Sequence, residues 1–77
     1  MIITHIIPKD DFTLHVTSED ARSGLFNITH YLESEVFLPL KELKNFKKVK
    51  NGKYFIEWDC GADLSADTIE ARWQLIK

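Results

Sequence analysis

The chain has 77 residues and a formal net charge of −2 at pH 7, with 44% apolar and 29% charged residues. This length allows one domain, residues 1–77, and the composition excludes a disordered chain. The single cysteine excludes an internal disulfide. The chain shows no basic signal-peptide region and no run of roughly 20 apolar residues, so we expect a cytoplasmic protein without membrane contact.

The first third of the chain predicts three antiparallel strands. Ile2–Ile7 is a β-branched run that stops at Pro8, and the segment PKDD is typical of a turn. The next segment, FTLHVT, alternates strictly between apolar and polar residues, which predicts a half-buried strand. After the turn SEDARSG, a third short strand contains Leu25, Phe26 and Ile28.

The middle of the chain predicts a short helix and a hairpin. Pro39 blocks a continuous helix, and the spacing of Leu40, Leu43 and Phe46 predicts one or two helical turns. Asn51-Gly52 then favours a type I′ turn, because both central positions of that turn need positive φ. We therefore expect the fourth and fifth strands to pair around this dipeptide.

The end of the chain predicts a helix that lies on the sheet. Ser65 stands at the N-cap and Asp67 in the first turn, where an acid suits the helix dipole. Gly61 permits a sharp exit from the fifth strand if φ there is positive. One apolar stripe follows at helical spacing, consisting of Ala66, Ile69, Trp73 and Ile76.

These elements predict an α+β fold with a small antiparallel meander sheet of about five strands and a C-terminal helix packed on it. The predicted core is a set of large apolar residues on the inward faces of these elements: Phe12, Leu14, Val16, Phe26, Ile28, Phe37, Leu40, Phe46, Phe55, Ile69 and Trp73.

The second half of the chain carries motifs that a known family shares. Phe37-Leu38-Pro39-Leu40 forms an aromatic-Pro-Leu segment, and Phe46 precedes the next strand. A Trp–x–x–Gly–x–Asp–Leu–x–x–Asp pattern closes the domain, and it comprises Trp58, Gly61, Asp63, Leu64 and Asp67. On these residues the chain resembles, over nearly its whole length, a bacterial family known as domain of unknown function 2442.

The chain departs from this family pattern at two turns. Family members often have Trp-Pro-Asn-Gly where this chain has Trp58-Asp59-Cys60-Gly61, and many have Asp-Gly within the turn that here reads SEDARSG. Neither departure threatens the fold. The resemblance implies an α+β domain but no established activity. Members are often encoded beside another short protein, and some are joined to a helix-turn-helix. Both arrangements resemble toxin–antitoxin or small regulatory modules.

Catalytic and metal sites find little support in the sequence. His5, His15, His30 and Cys60 lack zinc-ligand spacing, and the register that would bring His5 beside His15 stays open. Asp59, Asp63 and Asp67 could converge before the last helix, but we predict structural roles for the closing motif, with Asp63 bracing the turn. We therefore expect no enzyme activity, no cofactor and no bound metal.

Two binding functions remain. Residues 41–53 hold six lysines and one acid, giving +5, and these lysines alternate with Phe46, Tyr54 and Phe55 as in single-strand nucleic-acid platforms. The candidate contacts are Lys44, Lys47, Lys48, Lys50 and Lys53, with Lys41 beginning the segment. The favoured hypothesis is a protein partner or a homo-oligomer that uses an exposed sheet edge, because a small sheet domain without a visible site leaves such an edge available.

Overall fold

A computed structural model describes residues 1–76, which form an α+β domain of two antiparallel sheets and short helices. The strands are β1 (Ile3–Pro8), β2 (Thr13–Ser18), β3 (Ser23–Asn27), β4 (Lys50–Asn51), β5 (Phe55–Glu57), β6 (Asp63–Ser65) and β7 (Gln74–Ile76). The α-helices are α1 (Leu43–Phe46) and α2 (Ala66–Arg72), and the 3-10 helices cover Thr29–Tyr31 and Glu35–Lys41. The first sheet has the order β1-β2-β3-β7, and the second has the order β4-β5-β6.

The two predicted opening turns are confirmed, and both are three-residue loops. Phe12 N–H donates to Lys9 O at 3.2 Å, and Ala21 N–H donates to Ser18 O at 3.0 Å. In each loop the last residue has positive φ, 64° at Phe12 and 69° at Ala21. This geometry is a type I turn followed by a left-handed residue, which usually requires glycine. It pairs His5 with Thr17 and Ile7 with His15, which settles the open register.

We expect opposite effects from two exchanges between alanine and glycine at positive φ, one in the β2–β3 turn and one in the turn between β5 and β6. Ala21→Gly should raise the free energy of unfolding by about 1 kcal/mol, because the left-handed conformation is costly for a residue with Cβ. Gly61→Ala should lower the free energy of unfolding by a similar amount, since Gly61 has φ 95°, where a residue with Cβ is strained. An added Cβ would meet no atom within 4 Å, so no steric clash adds to this cost. Urea denaturation measures both, and equal signs would contradict the assigned backbone geometry.

A bulge in β1 joins the two sheets. The pairing with β2 shifts between Ile3 and His5, so that Ile3 is 1% exposed and enters the core. Ile3 N–H donates to Lys53 O at 2.8 Å, and Asn51 Nδ2 donates to Ile3 O at 2.9 Å. The tip of the β4–β5 hairpin therefore lies against the outer edge of β1.

The predicted hairpin is present, but its type I′ turn at Asn51-Gly52 is wrong. Asn51 pairs with Ile56, and Gly52 N–H donates to Phe55 O at 2.8 Å, so the turn is centred on Lys53 and Tyr54. Positive φ falls on Lys53, at 72°. The hairpin tip is held by Ile3, and this tertiary contact outweighs the local preference of Asn-Gly.

The C-terminal helix begins as predicted but ends early. Ser65 Oγ accepts a hydrogen bond from Thr68 N–H at 3.1 Å, which confirms the N-cap. The helix ends at Arg72, so the expected continuation through Trp73 to Ile76 is wrong. Residues 74–76 instead form β7, which pairs with β3. With β6 also absent from the prediction, the expected five strands become seven in two sheets.

The core lies between the inner face of the first sheet and the second sheet with its helices. Eight of the predicted core residues are buried: Leu14, Val16, Phe26, Ile28, Phe37, Leu40, Phe46 and Ile69. Phe12 and Trp73 are partly buried against this core. Phe55 was predicted wrongly, since it is 39% exposed and its ring covers Gly52 outside the core. Ile56, its neighbour on the opposite face of β5, is fully buried instead.

Candidate functional site

The closing motif contributes two side chains, Trp58 and Leu64, to the core, whereas Gly61, Asp63 and Asp67 are exposed. Trp58 is 3% exposed, and its Nε1–H donates to Phe46 O at 2.9 Å. Leu64 is 7% exposed in β6, and Gly61 turns the chain between β5 and β6 with φ 95°. This buried hydrogen bond from the indole of Trp58 to the carbonyl of Phe46 joins the 41–53 segment to the second sheet. Trp58, Gly61 and Leu64 hold the fold and present no chemical group to a ligand.

The three aspartates of the closing segment, Asp59, Asp63 and Asp67, have different surroundings. Asp59 Oδ1 accepts a hydrogen bond from Lys50 Nζ at 2.6 Å, which holds the pKa of Asp59 below its usual value. Asp63 faces solvent opposite Glu57, and no residue in 1–76 donates a hydrogen bond to its carboxylate. Asp67, in the first turn of α2, lines a cavity of about 290 Å³ beside Glu19 and Asp20.

The histidines and the cysteine do not form a common site. His5 and His15 lie on the same face of the first sheet at diagonal positions, because His5 pairs with Thr17. His30 lies on the first 3-10 helix, and Cys60 is exposed with its Sγ 3.7 Å from Val36 O. Within the described residues, no group of three His, Cys, Asp or Glu side chains could hold a metal ion.

Ion pairs occupy part of the lysine segment. Lys47 Nζ lies 2.5 Å from Asp10, Lys50 Nζ lies 2.6 Å from Asp59, and Lys44 Nζ lies 3.6 Å from Glu42. Phe46, which the stacking hypothesis needs at the surface, is fully buried. Tyr54 and Phe55 are 65% and 39% exposed at the hairpin tip beside Lys53.

An ion-pair network that the sequence did not indicate joins the β2–β3 turn to α2. Arg22 Nη2 lies 2.6 Å from Glu70 Oε2, and its Nε lies 2.7 Å from Asp20 Oδ2. The guanidinium carbon is 5.6 Å from the centre of the Trp73 ring. The hydrogen bond from the Ser18 hydroxyl is the main cause that lowers the pKa of Asp20, and Arg22 lowers it further. Arg22 also lowers the pKa of Glu70.

This network predicts loss of stability in acid. A carboxyl group with a lowered folded-state pKa stabilises the fold above its unfolded pKa, and the stabilisation is lost as pH falls through the folded pKa. We expect the free energy of unfolding to fall between about pH 5 and about pH 2, and Arg22→Gln to flatten this slope. Lys41→Gln, with the same charge change outside the network, should leave the slope unchanged. Equal slopes for wild type and Arg22→Gln in urea denaturation across this range would contradict the network.

One edge of the first sheet is closed. Ile3 at the outer edge of β1 already bonds to the hairpin tip, the bulge distorts the strand, and Pro8 has no N–H to donate. An additional strand would find few partners there. Strand addition at β1 therefore has little support in this fold.

On the opposite side of the sheet the edge strand is β7, and β3 extends past the start of β7 at Asn27. Ile28 N–H donates to Phe12 O at 3.0 Å, so the even-numbered residues of β3 and Ile28 direct their backbone N–H and C=O groups towards β2. Odd-numbered residues direct theirs to the other side, where Ser23 and Leu25 pair with β7. Asn27 is next on that side, but no strand of residues 1–76 continues beside it, because the chain before Gln74 is helix α2.

A groove of about 740 Å³ opens at this position. It is lined by Leu25, Phe26, Asn27, His30, Tyr31, Arg72 and Gln74, and none of these lining residues is acidic. Of its polar members, only His30 was a candidate site residue in the sequence. No local pattern could have indicated the rest, because four separate elements bring them together. We call this surface the β3 groove.

Fold and surface together define a small α+β domain with a partly open sheet edge. Residues 3–74 match the model of the family described as Protein of unknown function (DUF2442), and the chain belongs to that family. No curated protein and no solved structure matches the chain. Among the described residues, no helix is long and apolar enough to span a membrane.

Proposed function

We propose that this chain is a cytoplasmic, non-enzymatic binding module whose partner is a protein. The observation that carries the proposal is the open backbone edge of Asn27 in the β3 groove, which Arg72 also lines. The expected occupant is an extended segment of the partner that carries a carboxylate. We propose further that this partner is a small protein encoded nearby, in an antitoxin-like or regulatory pair.

The backbone of the groove suits an extended segment. Asn27 lies one step beyond Leu25 on the edge of β3 that pairs with β7. A partner strand can use its N–H and C=O as β7 uses those of Leu25, which is the geometry of strand addition. Leu25 and Phe26 supply apolar surface beside these polar groups.

The charge of the groove suits a carboxylate. Arg72 makes no ion pair with any residue in 1–76, and His30 is the other basic group on the groove wall. A guanidinium can bind a carboxylate through two parallel hydrogen bonds, which gives both affinity and orientation. No lining carboxylate competes for Arg72.

The electrostatics of the acids support a non-enzymatic role. A carboxylic acid that acts as a general acid near neutral pH needs a raised pKa, usually from an apolar pocket. Asp20, Asp59 and Glu70 each have a lowered pKa, the opposite of what a general acid near neutral pH needs. Each of these groups acts as an ion-pair partner for a neighbouring cation.

Nucleic-acid binding through residues 41–53 is the alternative. Lys41, Lys48 and Lys53 form no ion pair with a described residue, and Tyr54 is exposed next to Lys53. The pairs at Lys47 and Lys50 reduce the charge available to phosphates. The buried ring of Phe46 removes one of the three stacking positions, so this alternative has weaker support.

The proposal is tested by tagged purification from the native cell at low salt with two matched charge reversals. Arg72→Glu should abolish recovery of a stoichiometric protein partner, whereas Lys48→Glu should retain it. Asn27 N–H should exchange more slowly with deuterium in the complex than in the free chain. A partner that survives Arg72→Glu would overturn the proposal. Nucleic acid that is released by high salt and lost with Lys48→Glu would support the alternative instead.

A further inference from the structure

The outer face of the first sheet is partly exposed and carries almost no charge. Register places two rows of side chains across it: Ile7, His15, Leu25 and Gln74 in one, and His5, Thr17, Ser23 and Ile76 in the other. Thr13 and Asn27 extend it at one end. We call these ten residues the neutral face.

The composition of the neutral face is unusual for this chain. None of its ten residues is Asp, Glu, Lys or Arg, although charged residues make up 29% of the sequence. Depletion of charge is the compositional mark of the centre of a protein interface. Ile7 is 54% exposed and Ile76 is 45% exposed, so β-branched apolar groups face solvent here. Lys9, which follows β1, marks one corner.

Several polar groups of the neutral face already have partners within the chain. Thr17 Oγ1 and Ser23 Oγ are 3.3 Å apart, and Asn27 Nδ2 donates to Thr13 Oγ1 at 3.0 Å. A polar group that keeps its hydrogen bond costs much less to bury than an unpaired one. His15 Nε2 is already buried without a partner, so covering the face removes no further hydration from that atom.

We propose that the neutral face is a homodimer interface, in which two copies pack their first sheets face to face. A twofold interface places the same patch on both partners, so any net charge in it would be repeated and would repel. The neutral face avoids this cost, whereas much of the remaining surface carries ionised groups. The closed edge of β1 further disfavours self-association through β1 by strand addition.

The size of the face meets the requirement for a weak dimer. Four strands about 4.8 Å apart, with about five residues each at about 3.3 Å per residue, make a face of roughly 300 Å² in projection. Projecting side chains enlarge this to on the order of 500 Å² per copy, so that two copies bury on the order of 1,000 Å², the lower end for a specific interface. The neutral face shares only Leu25, Asn27 and Gln74 with the β3 groove, and this proposal does not depend on the proposed function.

Sedimentation equilibrium and methyl NMR from about 1 μM to about 1 mM chain test the dimer. Wild type should dimerise within this range, and the methyl signals of Ile7, Leu25 and Ile76 should shift with concentration. Ile7→Glu and Ile76→Glu should each weaken dimerisation at least about 10-fold, because the twofold axis brings two added charges onto one interface. Ile76→Glu provides a second variant if Ile7→Glu does not fold.

Val36→Glu is the matched control, since Val36 has the same 45% exposure as Ile76 but lies on the 3-10 helix Glu35–Lys41. It should dimerise as wild type does. A wild-type chain that remains monomeric to about 1 mM would overturn the proposal, as would concentration-dependent shifts confined to another surface. Arg72→Glu tests the β3 groove separately. A monomeric wild-type chain would therefore not contradict the partner proposal, and a partner that survives Arg72→Glu would not contradict the dimer.

Discussion

Phe46→Ala is expected to lower the free energy of unfolding by about 3–5 kcal/mol, the usual cost of deleting a fully buried aromatic ring. Phe46 is 0% exposed, and its ring centre lies 5.4 Å from that of Phe12 and 6.3 Å from that of Trp58. Its carbonyl also accepts the indole hydrogen bond of Trp58. A domain of this size has roughly 4–12 kcal/mol of stability in total, so this loss amounts to between about a quarter and all of it.

The aromatic exchange at the hairpin tip provides the control. Tyr54 is 65% exposed, and Tyr54→Ala should change the free energy of unfolding by no more than about 0.5 kcal/mol. Phe46→Leu, which retains most of the apolar volume, should cost about 1.5 kcal/mol and remain measurable by urea denaturation if the alanine variant does not fold. A folded Phe46→Ala protein with wild-type stability would place this ring at the surface and revive the stacking hypothesis for residues 41–53.

The elements that sequence reasoning predicted well are those with strong local signals. The alternation in FTLHVT, the N-cap at Ser65 and the short apolar run before Phe46 each depend on neighbouring residues alone. The fold class follows from these elements. The opening turns were also predicted as turns, although nothing in the sequence indicated that Phe12 and Ala21 would take positive φ where glycine is usual.

The errors have tertiary causes. Phe55 and Ile56 are both apolar strand residues, and only the pairing of β5 with β6 decides that Ile56 enters the core. Asn51-Gly52 lost its preferred turn because Ile3 binds the hairpin tip from a distant part of the chain. The β3 groove was beyond prediction for the same reason. Its members come from β3, a 3-10 helix, the end of α2 and the start of β7. The edge of β3 is open at Asn27 because α2 continues to Arg72 and β7 begins only at Gln74.

Gly24 explains why the last helix ends where it does, and it supports the second prediction of large effect. An added Cβ at Gly24 would lie 2.5 Å from Cδ2 and Cε3 of Trp73 and 2.9 Å from its Cγ. The ring of Trp73 therefore rests directly on the backbone of β3. The backbone N–H of Trp73 donates to Ile69 O at 2.7 Å, which fixes the position of this residue at the end of α2. This contact lets the chain pass from α2 to β7 within one residue.

Gly24→Ala is therefore expected to lower the free energy of unfolding by about 1–3 kcal/mol, the usual cost of overpacking. Rotation about χ2 cannot relieve the clash, because it leaves Cγ in place, and rotation about χ1 would remove the ring from its contact with β3. In a Trp73→Ala background the same substitution should be neutral or stabilising by up to about 1 kcal/mol, since alanine restricts the unfolded chain more than glycine does. The double-mutant cycle, followed by urea denaturation, should thus give a coupling of about 2 kcal/mol. Additive effects would mean that Trp73 does not cover Gly24, and the attachment of β7 to β3 would lose its physical basis.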